Sequence, residues 1–152
     1  MLAFSDMTNA LVNTFQQIPE LAPFLVNGDM TRIVAYIDLN PTKQSLETAG
    51  YAMPDGSILV GHRASEFDTS EEMSMWFHRF EVYLRSSIGT SVQDMATALI
   101  NGVPSGQNLR WRLLQLFPEL YSANVTTSER QSDSQNINFY LLAVELKETG
   151  DA

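Results

Sequence analysis

The stretch Trp76-Phe-His-Arg-Phe-Glu-Val-Tyr-Leu-Arg85 sets Trp76, His78, Phe80, Val82 and Leu84 against Phe77, Arg79, Glu81, Tyr83 and Arg85. Side chains of an extended chain point to opposite faces in turn, so this two-residue period predicts a β-strand with one apolar and one mixed face. Upstream, Ser57-Ile-Leu-Val-Gly-His-Arg63 follows the turn signal Pro54-Asp-Gly56 and reads as a second strand. Residues 64–75 between the two carry four acids and no base, which predicts a projecting acidic loop or an extended hairpin tip.

Farther out, Thr31–Asp38 is rich in β-branched and aromatic residues and reads as a strand ended by Asn40-Pro41. Residues 39–56 look like a loop. At the start of the chain Phe4, Met7, Leu11, Phe15 and Ile18 recur at spacings of three and four, the stripe of an amphipathic helix that Pro19 terminates. Residues 20–26 add a short turn or two, with Asn27-Gly28 as the stop. Downstream, Ser91-Val-Gln-Asp94 resembles a capping box and opens a second helix over 91–101. Leu109–Phe117 alternates well enough to predict a strand, residues 122–136 form a polar mobile loop, and Ile137–Glu148 reads as the last strand.

The layout is a single α+β domain over residues 1–152: a mainly antiparallel five-stranded sheet, two amphipathic helices packed on one face, and long loops between strands. The uncovered face would carry Phe77, Tyr83, Phe139 and Leu141, candidates for a subunit interface. A chain of 152 residues suits one core, since a globule of this size buries roughly 68–70% of the surface its unfolded chain exposes. The absence of cysteine removes disulfides, thiolate metal sites and a cysteine nucleophile. A start without a basic region, and no apolar run near membrane-spanning length, predict neither export nor membrane insertion. The net charge of −9 repels a polyanion, so tight nucleic-acid binding is not expected.

No phosphate-binding loop, dinucleotide fingerprint, zinc-protease motif, calcium loop or nucleophile elbow occurs. His62 and His78 lack metal-ligand spacing, and structural roles are expected for both. If their strands pair across the loop the two rings meet, and Glu66 or Asp68 would then complete a crude acid/base set. Glu66, Asp68, Glu71 and Glu72 lack the alternation and the glycine of a calcium loop and read as a solvated face. Arg110 and Arg112 share one face of the predicted strand and are expected to pair with acids within or between subunits. No catalytic residue, metal or cofactor is expected.

Several segments in order carry a resemblance: an opening amphipathic helix ending in Gln17-Ile-Pro-Glu-Leu-Ala-Pro-Phe-Leu25, then Arg32-Ile-Val-Ala-Tyr36, Gly56-Ser-Ile-Leu-Val60, Phe77–Arg85, Ala98-Leu-Ile-Asn-Gly102 and a closing strand followed by Glu148-Thr-Gly-Asp-Ala152. This layout resembles the tail-terminator or tail-completion proteins of long-tailed bacteriophages. The resemblance implies a virion subunit, assembled in the host cytoplasm into a homo-oligomeric ring, usually a hexamer. Such a ring caps the tail tube and joins it to a neck or connector protein, and duplex DNA passes through without specific binding or membrane contact. In that setting Phe67, Met73 and Met75 would anchor a neighbouring subunit, while Glu66, Asp68, Glu71 and Glu72 would line or rim the lumen. Three other readings stand beside it: a neck or head-completion ring protein, a small hydrolase or lyase built on His62 and His78, and a client-binding module.

Overall fold

The computed structural model describes residues 2–36, 45–69, 74–86, 109–132 and 138–149. They form an α+β fold on a five-stranded mixed sheet of order β1-β2-β3-β5-β4. The strands are β1 (Ile33–Tyr36), β2 (Ser57–Asp68), β3 (Met75–Ser86), β4 (Leu120–Ser132) and β5 (Asn138–Thr149). β1 runs parallel to β2, and the three remaining pairings are antiparallel. β3 pairs along its whole length with β5 on one side and, from Met75 to Arg85, with β2 on the other. Its alternation therefore becomes the sheet's two faces.

Helix α1 (Phe4–Phe15) lies on the face that carries Phe80, Val82 and Leu84. Met7, Leu11, Phe15 and Ile18 are fully buried against Ile58, Val60, Leu142, Val144 and Leu146, as the stripe requires. Phe4 departs from it: the ring is 44% exposed and stacks on His62 with centroids 5.2 Å apart. Pro19 opens a 3-10 turn (Pro19–Phe24), and a second turn (Val26–Gly28) ends with Asn27 and Gly28 both at positive φ. Arg32 then donates from Nε to the Gly56 carbonyl and from Nη2 to that of Asp55, each at 3.0 Å, fastening the start of β1 to the turn before β2.

Three expectations fail. Residues 39–56 are not all loop, because Leu46–Tyr51 is a helix, α2, whose Ser45 hydroxyl accepts from the Thr48 N–H at 3.2 Å. Leu109–Leu116 is a helix, α3, not a strand. The segment lacks β-branched residues and consists largely of Leu, Arg and Gln, good helix formers; at helical spacing Leu113, Leu114 and Phe117 reach the core together. Finally, residues 122–132 of the expected polar mobile loop belong to β4, which takes its backbone bonds from β5 despite its composition. The expected acidic loop also contracts, since Ala64–Asp68 pair with Met75–Arg79. The helix expected over 91–101 lies outside the described residues.

The helices divide between the faces. α1 and the inward residues of α3 share the large core, whereas α2 lies on the opposite face over Leu59 and Tyr83. That contact needs two glycines. A Cβ on Gly61 would run into the Leu46 side chain, and one on Gly50 would run into the Tyr83 ring. Helix propensity alone favours Gly50→Ala by roughly 1 kcal/mol. The ring is rigid, so overpacking by about 1–3 kcal/mol outweighs that gain. Gly50→Ala is expected to lower the unfolding midpoint in denaturant, and a raised midpoint would show that α2 does not rest on Tyr83.

Candidate functional site

The two histidines are expected to meet if their strands pair; β2 and β3 do pair, and the structure brings the rings together through an intermediary. His62 on β2 and His78 on β3 do not touch. The Ser65 hydroxyl lies between them, 2.6 Å from His62 Nε2 and 2.6 Å from His78 Nδ1. A β-bulge puts it there. The register with β3 shifts between His62 and Ala64, so the pleat resumes one residue late and Ser65, not Ala64, faces the same side as His62. Arg63 points to the other face and pairs with Glu81 at 3.3 Å.

The acid of the group is neither Glu66 nor Asp68. It is Glu148, 70 residues beyond His78 in sequence, whose Oε2 lies 2.8 Å from His78 Nε2. Both carboxylate oxygens also accept from the Leu2 N–H, at 2.9 and 3.0 Å. A carboxylate only accepts, so His78 donates from Nε2. With both rings neutral, Nδ1 of His78 then accepts from the Ser65 hydroxyl, whose oxygen accepts from His62. Four side chains on three strands and the entry to α1 are joined in one satisfied chain.

Its surroundings are aromatic. Phe80 meets the His62 ring edge-on at 5.3 Å, Trp76 stacks near His78 at 6.1 Å, and Phe67 packs on Trp76 at 5.0 Å. Burial pulls the His62 pKa down, aided by the nearby His78. For Glu148 burial pushes the pKa up, but the bonds from Leu2 and His78 outweigh it and hold the carboxyl below its usual value. Chemically, the order serine, histidine, carboxylate is that of nucleophilic hydrolases. Here His78 has no exposed surface, and the serine oxygen is held between two rings. A cavity of about 280 Å³ opens beside His62, Phe4 and Arg63, and Ser65 does not line it.

The expected interface residues scatter. Tyr83 is not left uncovered: it lies under α2 with 1% of its surface exposed, and its hydroxyl bonds to Glu81. Burial and that carboxylate raise its pKa. Met75 is likewise buried within the chain. Phe77 is half-buried under the Lys147 ammonium, 5.3 Å from its centroid. Phe67 is half-buried as well. Met73, Glu71 and Glu72 lie outside the described residues. Phe139 and Leu141 belong to β5, but their side chains lie outside the described ones. Glu66 is exposed and Asp68 half-buried, both at the outer end of β2.

Arg110 and Arg112 are helical residues of α3, so the shared strand face assigned to them does not exist. Arg112 makes no ion pair among the described residues; its Nε and Nη1 are buried without an acceptor. Among the described residues the large apolar ones that face outward are Phe4, Val34, Trp111, Leu116 and Tyr121, none of which the sequence singles out as an interface. Among the described residues no group of three metal-ligating side chains converges, and no helix is long and apolar enough to cross a membrane. A scan of protein-family models finds none that matches the chain, and a search among curated proteins likewise finds no match.

Two titrations act in the same direction. A folded-state pKa below the unfolded one means that the unfolded chain binds more protons, so stability falls as pH falls. For His62 the loss begins near its unfolded value of about 6.5; for Glu148 it begins near about 4.5 and is complete once pH passes below the folded value. Glu148→Gln is expected to cost about 1.5–3 kcal/mol at pH 7, the range for hydrogen bonds to a charged group, and to abolish the lower step. Denaturant titrations from pH 8 to 3 check both. A variant as stable as the parent chain at pH 7 would contradict the assignment.

Proposed function

We propose that the chain is a structural, non-catalytic subunit of a phage tail-terminator ring, which caps the tail tube, joins it to the neck and leaves a passage for duplex DNA. The observation that carries this reading is the outward placement of Trp111, Leu116 and Tyr121 on neighbouring elements α3 and β4. Large apolar side chains held at the surface of a folded domain mark contacts with other chains. β4 adds to this. It is a strand of 13 residues at the sheet's edge, with one side paired to β5 and no strand on its other side among the described residues. Its serines, threonines, Glu129 and Arg130 suit an edge that must not pair indiscriminately.

In a ring of identical subunits each copy offers one surface to the next and receives another, and closure leaves no surface unmatched. The net charge of −9 suits a passage that DNA slides past without being held. The interface assigned from sequence shifts: Tyr83 and Met75 serve the chain's own core, and α3 with the start of β4 takes their place.

Particle images of the purified protein, alone and mixed with assembled tail tubes, test the proposal. Rings of about six copies at one tube end, with an open centre, are the expected result. Purely monomeric protein in both samples would end it, and binding to the portal instead of the tube would move the protein to the neck.

The Ser65–His78–Glu148 order favours a hydrolase as the second reading. A fluorophosphonate probe is expected to leave Ser65 unlabelled, because a clamped oxygen beside a buried histidine cannot approach a substrate. Stoichiometric labelling, lost in Ser65→Ala, would establish the second reading over the first.

A further inference from the structure

Helix α3 is apolar on both sides. Leu113 is fully buried and Leu114 packs on the core, yet Trp111 is 47% and Leu116 56% exposed. Between this outward side and α1 lies a groove of about 400 Å³, lined among others by Asn13, Gln17, Trp111, Arg112, Gln115 and Leu116. Its lining includes two buried donors without a partner among the described residues: the Arg112 Nε and Nη1 are shielded from water and reach no hydrogen-bond acceptor there.

A guanidinium has no neutral form to fall back on, so burying its donors unpaired is costly unless a ligand completes them. Among the described residues none that lines the groove is acidic, although the chain has 18 acids to nine bases. The missing component is therefore an anion, and the indole and leucine beside it call for an apolar flank. Carboxylates interleaved with apolar side chains meet both demands. The chain contains one such segment, Glu66-Phe-Asp-Thr-Ser-Glu-Glu-Met73, with four carboxylates.

The segment belongs to a different part of the molecule from the groove. α1 begins beside His62, where Phe4 stacks on the ring, and ends beside β1, where the Gln16 amide donates to the Ile33 carbonyl at 3.0 Å. Ile33 pairs with Ile58, so α1 runs against the direction of β2. Asn13 and Gln17 therefore lie toward the start of β2, while Glu66 and Asp68 stand at its far end. The receiving groove and the end of β2 are different patches of one subunit, and a contact between unlike patches is head-to-tail, the kind that closes into rings.

We propose that the α1–α3 groove receives the Glu66–Met73 segment of a second copy of this chain, with its carboxylates on the Arg112 guanidinium and its apolar side chains against Trp111 and Leu116. This rests on the ring reading and names the contact that would build the ring.

A synthetic peptide of residues 64–75 with blocked ends, titrated into the full chain, provides the test. The peptide is expected to bind, and to lose at least tenfold in affinity when its four acids become amides, when Arg112→Gln is made, and when Leu116→Asp is made. Arg112→Gln removes two buried donors that reach no acceptor among the described residues, so its unfolding midpoint should stay level or rise, which separates lost binding from lost folding. Leu116→Asp, at an exposed position, provides the independent variant. Absence of binding, or binding indifferent to all three changes, overturns the groove assignment. Rings on tail tubes would still support the ring reading in that case; their absence, with peptide binding intact, removes the ring reading and leaves the groove contact.

Discussion

A carboxylate taken out of water must be completed by hydrogen bonds, and the outer half of this fold is arranged around one such group. Glu148 stands near the end of β5 on the face occupied otherwise by Leu142, Val144 and Leu146, where another apolar residue would continue the pattern. Its oxygens take the Leu2 N–H and the His78 ring, and His78 in turn takes Ser65. The chain's entry, the bulge in β2 and the register of β3 on β5 are thus held by one charge. Hydrophobic burial supplies most of the stability, but it is not directional. The carboxylate adds direction, fixing which residue of each strand meets which.

The fold was legible where one face of an element meets the core and the other does not. The alternation of Trp76–Arg85 and the stripe Met7, Leu11, Phe15, Ile18 are both of this kind. It became illegible where packing overrides local pattern. In Leu109-Arg-Trp-Arg-Leu113 the two-residue alternation is real, but it arises because α3 keeps apolar residues on both sides, one for the core and one for the groove. β4 has almost no apolar pattern, and only β5 beside it makes it a strand. α2 is a helix of six residues whose evidence lies in two glycines, and their meaning depends on Tyr83 and Leu46 approaching from elsewhere.

The candidate site shows the same division. That His62 and His78 lie on pairing strands could be read from the hairpin, but Glu148 is remote in sequence, and the bulge that turns Ser65 inward has no local signature. The sequence marks Arg112 as a pairing residue but not its setting, a groove in which Nε and Nη1 reach no acceptor among the described residues. The apolar residues chosen for an interface were those on the sheet, and α2 claims Tyr83 while Lys147 covers Phe77. The outward ones lie where α3 leads into β4. Association is accordingly assigned to that corner, and the polar chain to architecture.

Whether the serine, histidine and carboxylate serve architecture or chemistry depends on whether Glu148 is sealed. Amide hydrogen exchange at Leu2 measures this directly, because Leu2 lies ahead of α1 and its N–H donates to the Glu148 carboxylate, so its protection reports on that bond. The structure predicts protection at Leu2 comparable to that at Met7, inside the first turn of α1, and its loss in Glu148→Gln. Exchange at the unstructured rate in the parent chain would mean that the carboxylate is open to solvent, and the structural account of the site would fail.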